Sequence, residues 1–315
     1  MNDHSPSDTD KPIDAVIERV RSVYGRWNRS TTVEQMRQDW DALFGASPVA
    51  AEVTAVDVGG VPAEWVHSEA VDADRIVLYF HGGGFQVGSP RSHRELMAHI
   101  SAAASCRVLG VDYRLAPEHR FPAPLEDATA AYRWLLEAGH RPADIAFAGD
   151  SAGGGLALST LLSLRDAGRP MPAAAVAMSP WTDLTVSGAS YETRAAADPI
   201  HQRHLVQAMA RGYLGPDGNP HNPLISPLFA DLHGLPPLLI QVGDRETVLS
   251  DATDFADKAR NAGVLVDLQV WDGMIHVFQQ FPNDLPEARR ALAGIGDFLR
   301  THFGSRSIPQ QGAGQ

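Results

Sequence analysis

The chain has 315 residues, 44% of them apolar and 20% charged, with a formal net charge of −12. Its 28 Gly and 22 Pro fall well short of the roughly 25–30% that marks low-complexity disorder, and its acidic balance excludes the basic face that nucleic acid requires. A single cysteine, Cys106, rules out an internal disulfide and leads us to expect a reducing, cytoplasmic setting.

The first dozen residues are polar and acidic, without the basic and apolar regions of a secretory signal. No apolar run reaches the roughly 18 residues of a membrane span, so no integral membrane association is expected. From Ile13 to Phe44 the apolar residues Ile13, Val16, Ile17, Val20, Val33, Met36, Trp40 and Phe44 recur at helical spacing, which predicts two amphipathic helices. Residues 52–58 and 62–66 flank Gly59-Gly60 and read as a hairpin. Arg75–Phe80 is an apolar run without polar alternation, as expected of a strand buried on both faces. Similar runs recur at 107–111, 145–148, 174–178, 238–242 and 264–270. Helical patterns separate them at 93–104, 123–138, 152–166, 250–262 and 285–301. This alternation predicts an α/β fold with a mostly parallel central sheet of about eight strands, flanked by helices.

Pro180–Pro236 breaks the alternation. It is too long for an ordinary loop, is rich in proline and carries a helical stretch near 204–214. We read it as a cap. The expected organisation is an N-terminal helical cap segment at 1–50, a body at 51–180 and 236–303, an inserted cap segment at 181–235 and a disordered tail at 304–315.

Three segments carry chemistry. Gly149-Asp150-Ser151-Ala152-Gly153 follows a predicted strand and opens a predicted helix, the context of a G-x-S-x-G nucleophile elbow. Glycines at 149 and 153 let strand and helix nearly touch, and the helix N-terminus favours negative charge beside Ser151. His81-Gly82-Gly83-Gly84-Phe85 follows the strand ending at Phe80. Its bare amides suit an oxyanion, and we assign Gly83 and Gly84 as donors together with the amide of Ala152. A phosphate loop is the rival reading, but no G-x-x-x-x-G-K follows. His81 is expected to orient this loop. His276 lies in the loop after the last predicted strand, C-terminal to both serine and acid, and is the expected general base. The acid should lie after 238–242, where Asp244, Glu246 and Asp251 compete and spacing alone does not choose. Asp251 suits a helix cap.

His81–Gly84, Asp112–Glu118 and Gly149–Gly154 together resemble the hormone-sensitive-lipase-like (family IV) bacterial esterases of the α/β-hydrolase fold. The resemblance spans about residues 75–300. It implies a catalytic domain with a helical cap, and Ser151, Glu246 and His276 as catalytic residues. The family's acid stands three residues after the glycine that follows the strand. That position is Glu246, followed by Thr247-Val248 where Asp-Pro-Leu is commoner. Gly273, His276 and Phe278 match its Gly-x-x-His-x-Phe motif. Asp112, Tyr113 and Arg114 resemble the family's buried polar turn, braced by Glu118 and Asp127. Phe85, Asp150, Trp181 and Phe278 are expected in the substrate pocket; Trp27, Met36 and Trp40 offer acyl- or alcohol-pocket lining from the N-terminal segment, with ordinary helix packing the preferred reading of each. The implied activity is carboxylesterase action on short- to medium-chain esters, with no cofactor and no metal. A lactone, amide or carbamate hydrolase, or a silent ligand-binding member of the fold, is the alternative. The partners implied are a small-molecule ester and, by resemblance alone, a second copy in a homodimer through 264–270 and 286–298.

Overall fold

The apolar runs and the helical patterns between them fold into a central eight-stranded sheet with helices on both faces. The computed structural model describes residues 12–28, 30–45 and 49–304. The expected frayed ends lie outside the described residues, except that Pro12 already belongs to the first helix and Gly304 is placed. The strands are β1 (Glu52–Asp57), β2 (Pro62–His67), β3 (Asp72–Phe80), β4 (Cys106–Val111), β5 (Ile145–Asp150), β6 (Ala174–Met178), β7 (Leu238–Gly243) and β8 (Val266–Trp271). Their order is β1-β2-β4-β3-β5-β6-β7-β8. β2 pairs antiparallel with β1 and β4, and every pair from β4 to β8 is parallel.

Period-two alternation sorts the strand side chains between two cores. In β3, Ile76, Leu78 and Phe80 face one core, and Val77 and Tyr79 face the other. The first core is covered by α4 (Ala123–Glu137), α5 (Ala152–Asp166) and α8 (Leu249–Asn261). The second is covered by α3 (Pro90–Ala104) and α9 (Pro286–His302). One expectation fails at the edge: the run at 264–270 is not buried on both faces. β8 starts at Val266, and Leu265 and Val270 are exposed, because no strand lies beyond it.

The strand order reverses at β3, whose neighbours are β4 and β5. In such sheets ligands bind beyond the carboxyl ends of the strands at the switch point. Phe80 pairs with Gly149, so the loops after β3 and β5 emerge side by side. Over these ends lie α1 (Pro12–Tyr24) and α2 (Val33–Phe44), together with α7 (Arg203–Leu214) of the 180–236 insertion, whose α6 (Ser190–Thr193) packs against the loop after β7. α2 is anchored by Arg37, which donates to the carbonyls of Gln86 and Ala116 and pairs with Glu118.

Candidate active site

The elbow is a backbone event. Ser151 sits between β5 and α5 with φ +53°, and its amide donates to the Met178 carbonyl. Such a φ is unfavourable for a residue with a side chain and persists only where its surroundings enforce it. The glycines permit the enforcement. A Cβ on Gly153 would lie 2.1 Å from the Phe80 carbonyl oxygen, and one on Gly149 2.4 Å from that of Gly153.

Each remaining group comes from the carboxyl end of another strand. Glu246 follows β7 and is fully buried; His276 follows β8 and is 8% exposed. His276 Nδ1 lies 2.7 Å from Glu246 Oε2, and its Nε2 2.8 Å from Ser151 Oγ. A carboxylate only accepts, so Nδ1 carries the proton and Nε2 is free to accept from the serine hydroxyl. Burial disfavours the His276 imidazolium, but Glu246, with Asp198 and Asp150 farther off, outweighs it and raises the pKa above the ordinary histidine value.

Of the three competing carboxylates, only Glu246 reaches the histidine. Asp244 accepts from the Gly273 amide at 2.7 Å and braces the histidine loop. Asp251 does not cap α8, whose flanking residue is Val248. It lies in that helix's first turn and turns away to accept the amides of Thr182 and Asp183.

The loop after β3 turns back over the elbow. Gly83 and Gly84 have φ +116° and +61°, open to glycine without strain. Among the described residues, the amides of Gly83, Gly84 and Ala152 donate to no protein acceptor, which leaves them available to an oxyanion beside Ser151. Asp150 holds this loop in place: its Oδ1 accepts from the Gly82 amide at 2.9 Å and the Tyr79 hydroxyl at 2.6 Å. Desolvation raises its pKa, but His93, the Tyr79 hydroxyl and His81 bring the net value down. His81 donates from Nδ1 to the Gly82 carbonyl and stacks on Tyr113. Burial and then His93 push its pKa down to about 3, so it is neutral.

Ser151, His276, Gly83 and Gly84 open on one cavity of about 900 Å³. Of the four residues placed in the substrate pocket, Asp150 and Trp181 line this cavity and Phe85 and Phe278 do not. Phe85 stacks on Tyr213, 3.8 Å between centroids, and Phe278 is fully buried against Trp271. Both are buried in the packed interior. Trp27, Met36 and Trp40, read as ordinary packing, all line the cavity, because α1 and α2 lie across the strand ends. The expected buried turn is also only partly buried: Tyr113 is interior and donates to the His81 carbonyl, whereas Asp112 and Arg114 are exposed. Arg114 reaches back to the buried Asp127; Glu118 pairs with Arg37 instead.

Three side chains at the site escaped the sequence reading. Ser179, at the end of β6, donates to Glu246 Oε1 at 2.7 Å and accepts from the Val277 amide. Buried Asp198 accepts from the amides of Ile200, His201 and Thr247 and from the Thr247 hydroxyl, tying the 180–236 insertion to the loop after β7. His201 meets the His276 ring edge-on at 4.5 Å, and burial and then His276 lower its pKa to about 4. The Asp198-Pro199 pair inside a proline-rich insertion was the one local signal for the second of these. Among the described residues, no group of three His, Cys, Asp or Glu is placed to hold a metal ion, and no helix is long and apolar enough to cross a membrane.

A serine, an imidazole and a buried carboxylate in relay at the strand ends of such a sheet define the α/β-hydrolase class. A family model described as the alpha/beta hydrolase fold matches residues 77–280. An acetyl-hydrolase of Streptomyces hygroscopicus is 49% identical over 249 residues, 79% of this chain and 83% of its own. An esterase of Acinetobacter venetianus is 38% identical over 256 residues, 81% of this chain and 84% of its own. The crystal structure of an esterase from the bacterial hormone-sensitive lipase family superposes with a TM-score of 0.91 at 47% identity, covering 95% of this chain and all of that one. The chain belongs to the α/β-hydrolase family, in its bacterial hormone-sensitive-lipase-like branch.

Proposed function

We propose that Ser151, His276 and Glu246 form the catalytic triad of this chain and that Gly83, Gly84 and Ala152 form its oxyanion hole. The chain is a carboxylic-ester hydrolase, as its relatives and structural neighbours are. The observation that carries the residue assignment is the unbroken Glu246–His276–Ser151 relay, 2.7 and 2.8 Å, opening on the cavity.

In the proposed reaction Ser151 Oγ attacks the ester carbonyl carbon while His276 Nε2 takes its proton. Charge develops on the carbonyl oxygen, where the three amides meet it, already oriented and at no reorganisation cost. Collapse expels the alcohol, which receives the proton from Nε2. Water then attacks the acyl-enzyme with the same histidine as base, and collapse breaks the Ser151 Oγ–acyl bond, returns the proton to Oγ and releases the carboxylic acid. Glu246 stays ionised and stabilises the imidazolium. Replacing Ser151 by Ala should lower kcat on p-nitrophenyl acetate by on the order of 10⁶; wild-type turnover would refute the assignment.

Short- to medium-chain esters are the proposed substrates, supported by the cavity's size and its apolar walls. We also read 1–50 and 181–235 as one cap in two pieces, because α1, α2 and α7 all contribute to those walls. A homodimer through β8 is proposed on its unpaired edge and exposed Val270, and a cytoplasmic setting on the single, buried Cys106.

A further inference from the structure

The cavity that opens on Ser151 has a neighbour. A second cavity, of about 450 Å³, is likewise lined by α1 and α2, and both are bounded by Phe44, Gln280 and Phe281. The rings of Phe44 and Phe281 stand 5.8 Å apart, centroid to centroid. These residues therefore form a thin wall with the substrate cavity on one side and the second space on the other.

The two sides differ in chemistry. On the side of Ser151 the wall continues into an aromatic surface: Phe44 packs on Trp40 at 4.9 Å, and Trp40 on Tyr24 at 5.7 Å. On the far side charged groups stand among apolar ones, Val23, Leu43 and Pro282. Arg19 lies 5.3 Å from the Phe281 ring centroid and pairs with Asp284 at 2.6 Å, and Arg26, Asp39 and Glu95 also line that side. Phe281 is 5% exposed and Phe44 half-buried, so both rings are held by packing.

We propose that Phe44 and Phe281 form a septum that ends the apolar limb of the substrate cavity, and so set the longest chain an ester can carry there. This rests on the ester-hydrolase reading above. A hydrocarbon chain gains by burying each methylene against the aromatic surface. At the septum that gain stops. The next methylenes meet the rings, and a chain forced past them would displace water from paired charges, which costs free energy. The preferred substrates are accordingly esters whose apolar chain ends at the septum.

The test is a chain-length profile. Wild type, Phe44→Ala, Phe281→Ala and the milder Phe44→Leu and Phe281→Leu are assayed on p-nitrophenyl esters from acetate to laurate, and on acetate esters of n-alkyl alcohols from ethyl to decyl. The two series show which half of the ester fills the limb. Each kcat/KM is normalised to the same variant's value on the shortest ester. Wild type should pass through an optimum in one series and then fall. The Ala variants should move that fall by at least two carbons. They should also raise relative kcat/KM on the first chain beyond the wild-type limit about tenfold, mainly through KM. If thermal melts show that an Ala variant has not folded, its Leu counterpart decides, with a shift in the same direction. An unmoved fall in both series, or a wild type that does not discriminate up to laurate, overturns the septum. A wild type that hydrolyses no ester in either series overturns the hydrolase reading instead.

Discussion

The strand-end loops and the cap meet at one cavity but are built on opposite principles. At the strand ends, each functional atom is placed by backbone that cannot go elsewhere. Ser151 is forced to positive φ between strand and helix, and Glu246 is gripped by the Ser179 hydroxyl and the Gly243 amide. The cap places no such group. It contributes side-chain surface, chiefly from α1, α2 and α7, and is tied down at a few points such as Arg37 and Asp198. On the proposed reading, reaction chemistry and substrate choice reside in different layers of this molecule. Strand-end substitutions should therefore act on kcat, and cap substitutions on KM.

The sharpest way to break this division is at Glu246. Glu246→Gln should lower kcat by on the order of 10⁴ and should also move the pH profile. Activity needs neutral His276, whose pKa is raised, so wild-type kcat/KM should fall on acidification from above pH ~6.5, the ordinary histidine value. Without the carboxylate, burial is left to lower that pKa, so the acid limb should shift to lower pH. A limb that stays put would mean that Glu246 does not act through the histidine.

Next in size, Ser179→Ala removes the donor to Glu246 Oε1 and the acceptor of the Val277 amide. It should cost roughly 10- to 100-fold in kcat with KM little changed, about 1.5–3 kcal/mol for hydrogen bonds to a charged group. An effect confined to thermal stability would reduce Ser179 to packing. On the cap, Trp27→Ala should raise KM several-fold on the esters that wild type prefers, while kcat holds within about twofold. A kcat loss as large as that of Ser179→Ala would collapse the division between the layers. Smallest of all, Asp244→Asn should leave kcat/KM within about threefold, because it braces the Gly273 amide and does not touch His276. A loss near that of Glu246→Gln would transfer the acid role to Asp244.

The legibility of the site follows the same division. The elbow and the glycine loop could be read because their chemistry requires particular residues in consecutive positions, so the turn is written into the local sequence. The last loop could be read because the chain order of serine, acid and histidine constrains where the base stands. The choice of Glu246 over Asp244 came from family resemblance, since both lie in one loop and spacing treats them alike. Ser179, Asp198 and His201 were invisible because each acts on a residue far away in sequence: Ser179 lies 67 residues from Glu246 and 98 from Val277. Phe85 and Phe278 sit beside pocket residues in sequence, yet the side-chain direction set by the local turn sends them inward.

Taken alone, the sequence determined the parallel sheet, the hairpin at its start, the two N-terminal helices, and the loops on which Ser151 and His276 stand. These follow from periodicity and from turns closed within a few residues, where local sterics decide the conformation. Tertiary structure decided which carboxylate faces His276, which aromatic residues wall the cavity, and that β8 is an exposed edge. Each of these is a contact between segments distant in the chain, settled only when the strands take their order and α1 and α2 close over their ends.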